Sequence, residues 1–347
     1  MNHEHKRDQF IMAPMRGYTD AVFRDIWAKH FSGMDEAVAP FISLQQAKDL
    51  SSKILADVAQ KGERSIPVIP QILGNSSQAF VALACRLADL GFQELNWNLG
   101  CPFPMVAKKT KGSGLLCFPE RIDAFLEEAC ALSPLGVSVK MRLGRHDSRE
   151  TTALLEVLNR YPLERIILHP RVGVQMYEGR PDLEAFRSFL RDSNHQVIYN
   201  GDIWSKDDFM ALSTEFPGVK GWMLGRGLLA DPFLAERLRG TFHSGDQTEL
   251  IRFRSFYDDL ENAYGKRLSG DSHLLSRMKG WWLCFQESFE NGTSFFKSLR
   301  KLNRMEVFRR EVTGFLDSKP RWRMPEAAGW VKGSSLFQGG KDDTDSH

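Results

Sequence analysis

Residues 66–100 read IPVIPQILGNSSQAFVALACRLADLGFQELNWNLG. The opening IPVIPQIL (66–73) is a short apolar run with β-branched residues, which predicts a buried strand. In SQAFVALACRLADLG (77–91) the apolar residues recur at spacings of three and four, the period of one helix face. QELNWNLG (93–100) then predicts a second strand. Strand, helix and strand in so short a span make one β/α unit and the start of the next.

The alternation extends in both directions. Further strands are expected at QFIMAP (9–14), EAVAPFI (36–42), VSVKMRLG (137–144), RIILHPR (165–171), QVIYNGDI (196–203) and GWMLGRG (221–227), with helical stretches such as PERIDAFLEEACALS (119–133) between them. Eight β/α units over roughly 240 residues is the spacing of a (β/α)8 TIM barrel of the α/β class, not of an open doubly wound sheet. The first strand carries no GxGxxG, so a dinucleotide fold has little support. Past about residue 244 the strands stop. TELIRFRSFYDDLENAYGKRL (248–268), SHLLSRMKGWWLCFQESF (272–289) and SFFKSLRKLNRMEVFRREVTGFL (294–316) predict a small all-helical domain. The expected division is a barrel over 1–245, helices over 246–317, and an extended or disordered tail over 318–347.

Composition narrows the class. The 347 residues are 42% hydrophobic and 26% charged, ordinary for a globular chain with a full core. No run approaches eighteen apolar residues, and the opening MNHEHKRDQF lacks the apolar core of a signal peptide, so a cytoplasmic protein with no membrane contact is expected. Five cysteines, odd in number and without CxxC spacing, suggest neither a disulfide framework nor a metal site. The formal net charge is +2, but residues 248–335 hold sixteen Lys and Arg against eleven Asp and Glu. That excess, interleaved with Phe and Trp, fits a solvated helix face or a polyanion-binding surface.

Barrel enzymes carry their chemistry at the C-terminal ends of the strands. Those ends hold Pro14 and Met15, Gln71, Asn98 and Cys101, Lys140 and Arg142, His169 and Arg171, Asn200 and Gly201, and Gly225 and Arg226. Burying so many polar groups around one rim is costly unless a polar or anionic ligand satisfies them. The NGD of 200–202 and the GRG of 225–227 offer glycine backbone and an Arg where barrels hold a phosphate. Lys140 and Gln71 suit an electron-accepting ring, because a cation stabilises its reduced anion and a carboxamide pairs with imide-like groups. FMN meets both requirements.

MAPMRGYTD (12–20), NWNLGCPFP (96–104), KKTKGSGLL (108–116), VKMRLG (139–144), HPRVGVQMYEG (169–179), YNGDI (199–203) and MLGRG (223–227), in this order and spacing, resemble the tRNA-dihydrouridine synthases over roughly residues 10–245. The resemblance implies an FMN enzyme, reduced by NADPH, that converts selected uridines of tRNA to 5,6-dihydrouridine. Carried over position by position, Pro14 and Met15 would back the flavin and Gln71 and Lys140 would contact its ring. His169 would lie beside Lys140, while Asn200, Gly201, Asp202, Gly225 and Arg226 would hold the phosphate end. Asn98 and Arg171 would meet the uracil. Two departures are Pro170, where the family has a small residue, and Val172, where it has threonine. The SRMKGWW stretch (276–282) is similar to the bacterial subgroup acting at position 16 of the D-loop.

Cys101 acquires a role on this account. Reducing the C5–C6 bond needs a hydride on one face of the ring and a proton on the other. A thiol, still protonated at neutral pH yet acidic enough to donate, suits the second task. Gly100 and Pro102 shape its turn, and Lys279, Arg300, Lys301, Arg304, Arg309 and Arg310 are the expected RNA contacts. A monomer with no obligate protein partner is expected. The alternatives are a small-molecule FMN oxidoreductase of the dihydroorotate or dihydropyrimidine type, a lyase with a Schiff base on Lys140, and a non-catalytic RNA-binding scaffold.

Overall fold

The computed structural model describes residues 8–43, 57–58, 66–243 and 248–325. Its strands are β1 Gln9–Met12, β2 Glu36–Val38, β3 Ile42–Ser43, β4 Val68–Ile69, β5 Gln71–Leu73, β6 Glu94–Leu99, β7 Gly136–Arg142, β8 Leu163–His169, β9 Val197–Tyr199 and β10 Gly221–Leu224. They form one parallel sheet in the order β3-β5-β6-β7-β8-β9-β10-β1-β2-β4. Each of the expected EAVAPFI and IPVIPQIL strands is broken in two by a proline, which has no N–H to give the ladder. β2 pairs with β4 and β3 with β5, so the two ends of the order are halves of the same two strands and the sheet closes. The break at Pro70 is local, since its carbonyl still accepts from Asn96 N at 2.9 Å. Eight barrel strands result, at the expected places.

Alternate residues on a strand face opposite sides, so a barrel strand sends one set inward. Ile11, Ala13, Val38, Ile69, Ile167, Ile198 and Met223 form the apolar plug of the lumen. Toward the N-terminal ends Arg165 bridges Glu36 and Glu94 (2.7 Å to the latter), and Gln9 donates to Glu36 at 2.9 Å. The other face meets the helices. In α1 (Ala21–His30) the Asp20 carboxylate caps the first turn by accepting from Phe23 N at 3.1 Å. In α2 (Ser77–Ala88) Phe80, Leu83, Ala84 and Leu87 make the buried stripe that the sequence period predicts. In α3 (Pro119–Leu132) Phe125 stacks on Trp97 of β6 with centroids 3.6 Å apart.

The C-terminal helices are α4 Thr248–Arg267, α5 Asp271–Phe285, α6 Gly292–Leu299 and α7 Met305–Asp317. The boundary expected after residue 245 lies outside the described residues. These helices dock on the first β/α unit: Trp281 stacks on Phe23 at 4.6 Å and meets Tyr18 edge-on at 5.3 Å, and Tyr264 OH donates to Asp20 at 2.8 Å. The described part of the expected tail, 318–325, is anchored, with Trp322 against Phe289 (4.9 Å) and Phe233 (5.3 Å) and Arg323 N donating to Ser288 O at 2.9 Å. Residues 326–347 lie outside the described residues.

Candidate active site

Strand register assembles the site. Asn98 lies beside Lys140, Asn96 beside Ser138, Gln71 beside Asn96, and Arg142 beside His169. Residues two apart on a strand share a face, so Asn96 with Asn98, and Ser138 with Lys140 and Arg142, line the lumen toward its C-terminal mouth.

A buried amide relay forms the floor. Asn98 Nδ2 donates to Gln71 Oε1, Gln71 Nε2 to Asn96 Oδ1, and Asn96 Nδ2 to Ser138 Oγ, each at 2.8 Å. At its upper end Asn98 Oδ1 accepts from the N–H groups of Gly100 (3.0 Å) and Cys101 (2.9 Å). Asn98 therefore braces the thiol turn, and Gln71 is a fully buried link behind it. Arg142, itself buried, grips the same turn from β7 through Nε to Gly100 O (3.1 Å) and ties it to the β8 side through Nη1 to Val172 O (3.0 Å). Cys101 is 7% exposed, and burial holds its thiol above the usual pKa against the pull of Arg142, Arg16 and Lys140. The group is a protonated thiol at neutral pH.

The cations crowd. Lys140 is pushed down to about 7, first by burial and then by Arg142, and Arg142 falls to about 10 for the same leading reason. His169 is held well below its usual value by burial and by Arg142, Lys140, Arg171 and Arg226. Its Nε2 faces Arg171 Nη1 at 3.2 Å; a guanidinium only donates, so Nε2 accepts and the ring proton sits on Nδ1. Arg171 has all five N–H bonds committed, to Glu178 O, Gly179 O, His169 Nε2 and both oxygens of Asp202. Arg226 meets the same Asp202 carboxylate at 2.6 Å. One carboxylate thus serves two guanidinium groups beside Arg142 and Lys140.

The phosphate-end candidates converge here. Asn200 Nδ2 donates to Met223 O (3.0 Å), Asp202 stands at φ +39°, and a Cβ on Gly225 would lie 3.5 Å from Ala13 and 3.8 Å from Met15. Pro14 and Met15, half-buried at the end of β1, complete the ring; Met15 N donates to Thr19 Oγ1 at 2.8 Å. A groove of about 620 Å³ lined by Arg180, Trp204, Lys206 and Glu215 also reaches Asp202, but it runs along the outer helices and contains neither the thiol nor Lys140. Lys279 is elsewhere: its Nζ donates to Arg300 O (3.2 Å) and Leu302 O, closing the end of α6. Arg304, Arg309 and Arg310 pair with Glu306, Glu261 and Glu311, whereas Arg300 and Lys301 are exposed.

The sequence reading left Tyr177 without a role. Its ring lies under Arg226 (4.7 Å) and Arg142 (5.5 Å) and 6.3 Å from His169, covering the cationic cluster from the loop after β8. A tyrosine in an irregular loop carries no periodic signal that would have placed it there.

Comparison with known proteins gives this arrangement relatives. The family profile described as Dihydrouridine synthase (Dus) matches residues 11–310. A probable tRNA-dihydrouridine synthase 2 of Bacillus subtilis is 30% identical over 273 residues, covering 75% of this chain and 80% of that protein. The tRNA-dihydrouridine(16) synthase of Neisseria meningitidis serogroup B is 24% identical over 323 residues, covering 90% of this chain and 96% of that protein. A histamine dehydrogenase from a Rhizobium species shares the fold at TM-score 0.51 and 12% identity, over 72% of this chain and 49% of its own.

Proposed function

Because the chain belongs to the dihydrouridine synthase family, we propose that it reduces the C5–C6 double bond of selected uridines in tRNA, with FMN as bound cofactor, NADPH as reductant and Cys101 as proton donor. Membership makes it a flavin-dependent oxidoreductase.

The residues fit a planar group that ends in a phosphate. Asp202 pairs with Arg171 and Arg226 while Arg142 and Lys140 stand nearby without a carboxylate of their own, and a dianionic phosphate beside Arg226 would balance the surplus. A flavin held there would supply the hydride chemistry needed at C6 of the uracil. Asn200, Gly201, Asp202, Gly225 and Arg226 would hold its phosphate end and Pro14 and Met15 its edge, with Lys140 against the ring. The amide relay fixes Gln71 and Asn98 so that the thiol turn does not drift, and Cys101 delivers the proton to C5. Neutral His169 keeps Arg171 in place and adds no charge. Arg171 reaches a uracil only by giving up one of its present acceptors, of which the Glu178 and Gly179 carbonyls lie on the loop after β8 and Asp202 on the phosphate side.

The observation that carries the reading is a buried, protonated thiol held by Asn98 and Arg142 beside a depressed lysine at the barrel mouth. A lysine near 7 would equally suit a Schiff base; family membership decides against the lyase. The basic helical domain and the names of the relatives support tRNA over a free pyrimidine. The Neisseria relative makes position 16 the first uridine to map. No helix among the described residues is long and apolar enough to cross a membrane, in keeping with a cytoplasmic enzyme, and a monomer suffices for a two-domain clamp on tRNA.

The test is optical. Purified protein should show a flavin absorption band that bleaches with NADPH under anaerobic conditions and returns on adding tRNA that lacks dihydrouridine. No band after supplying FMN would overturn the cofactor assignment. Reoxidation by free uracil or orotate but not by tRNA would favour the small-molecule oxidoreductase.

A further inference from the structure

Arg145 has no part in the site as described so far, yet its side chain touches the loop that carries the thiol. Its backbone is fixed on both sides: the N–H donates to Glu150 Oε2 at 2.7 Å, and the carbonyl accepts from Val174 N at 3.0 Å. The same Glu150 carboxylate takes the N–H groups of His146 (3.1 Å) and Asp147 (3.2 Å), so the loop after β7 is folded around one charge. From this base Arg145 Nη1 donates to Pro102 O (3.1 Å) and to Ser113 Oγ (3.0 Å). Ser113 N donates in turn to Cys101 O at 3.0 Å.

The space around this contact is tight. A Cβ on Gly173 would lie 2.7 Å from Ser113 Oγ and 2.9 Å from Arg145 Nη1, and one on Gly112, at φ +55°, would lie 2.8 Å from Cys101 Cβ. Glycine at both positions lets the loops close on each other. Hydrogen bonds from a charged donor are the stronger kind, and a guanidinium nitrogen bridging two acceptors fixes their separation as a lysine cannot.

We propose that Arg145 is a positioning residue for the thiol: by bridging Pro102 O to Ser113 Oγ it latches the 101–113 loop shut, aiming Cys101 at the barrel mouth and shielding it from bulk solvent. The catalytic meaning of the latch rests on Cys101 being the proton donor, but the latch itself has a readout of its own. That readout is the rate at which iodoacetamide alkylates Cys101 in the full-length flavoprotein, followed on the Cys101 peptide by mass spectrometry. Exposed Cys85 serves as the internal control; Cys117 does not, since the Arg145 charge acts on its thiol.

Arg145→Ala loses both contacts of the latch and should raise the Cys101 rate at least about tenfold, the shift in closed-to-open ratio expected for losing a charged donor, with Cys85 unchanged. Flavin reduction by NADPH should be unaffected, and kcat with tRNA should fall while its KM holds. Arg145→Lys and Ser113→Ala, which spare one of the two contacts, should fall between, and they decide the matter if Arg145→Ala does not fold. An unchanged Cys101 rate in the folded variants overturns the latch while leaving the acid assignment intact. A rise shared by Cys101 and Cys85 overturns it too, since that reports general loosening. Wild-type turnover by Cys101→Ala would instead remove the acid assignment, and with it the catalytic half of the inference.

Discussion

Asn98→Ala separates a brace from a base contact. The side chain makes three hydrogen bonds, to Gly100 N (3.0 Å), Cys101 N (2.9 Å) and Gln71 Oε1 (2.8 Å). Removing it strands those groups in a mostly buried place, at a cost of about 3 kcal/mol in total, which lowers Tm by on the order of 5 °C in a chain of this size. Freed of both anchors, the thiol turn shifts, and a misplacement of about 1 Å costs roughly 10²-fold in rate. The assay is stopped-flow: flavin reduction by NADPH should be unchanged, while reoxidation by tRNA slows about a hundredfold. Asn98→Asp sharpens the test. A carboxylate oxygen still accepts from Gly100 and Cys101, and the relay can reverse, with Gln71 and Asn96 turning their amides so that Ser138 donates at the far end. Asn98→Asp should therefore recover reoxidation to within about tenfold of wild type, helped by Lys140 and Arg142 nearby. If Asn98 instead serves mainly to hydrogen-bond the uracil, Asp will be as poor as Ala, and that result would refute the reasoning.

Lys140, near 7 without an anionic partner, gains a proton when a phosphorylated ring binds beside it. FMN affinity should fall as pH rises from 7 to 9, and Lys140→Met should flatten the dependence; a wild-type affinity that rises with pH contradicts the sign, which fluorescence titration can read directly. Lys279→Met loses two carbonyl contacts and should lower stability by about 1 kcal/mol without changing the salt slope of tRNA binding, whereas exposed Lys301→Ala should reduce that slope by about one if it meets a phosphate. Calorimetry and binding at several salt concentrations distinguish them. Trp281→Ala, which unstacks Phe23 and Tyr18 between the domains, should destabilise by about 3–5 kcal/mol on denaturant unfolding.

How far the sequence disclosed this follows from what each residue signals. Buried parallel strands are near-continuous apolar runs, so all eight were legible, and prolines at 40 and 70 interrupt two of them without moving the barrel. Polar residues ending those strands announced a ligand-facing rim. The alternation gives the face but not the partner: Gln71, Asn98 and Arg171 read as aimed at cofactor or base, and the structure shows their hydrogen bonds spent largely on one another's neighbourhood. Lys279 stands in a basic run read as an RNA surface, and its bonds to two helix-end carbonyls were not legible there, because a cation closing a helix end has the same composition as one facing a phosphate. Arg145 and Tyr177 act from irregular loops, where no period points anywhere, and only the closed barrel brings them to the thiol and the cations.

The most direct test of the account is a single anaerobic turnover of NADPH-reduced enzyme with tRNA lacking dihydrouridine, comparing wild type with Cys101→Ala and counting dihydrouridine per flavin by nucleoside mass spectrometry. The account predicts close to one dihydrouridine per reduced flavin for wild type, and for Cys101→Ala a flavin that reduces normally but yields almost none in the same time. Equal yields at equal rates from the two proteins would contradict it.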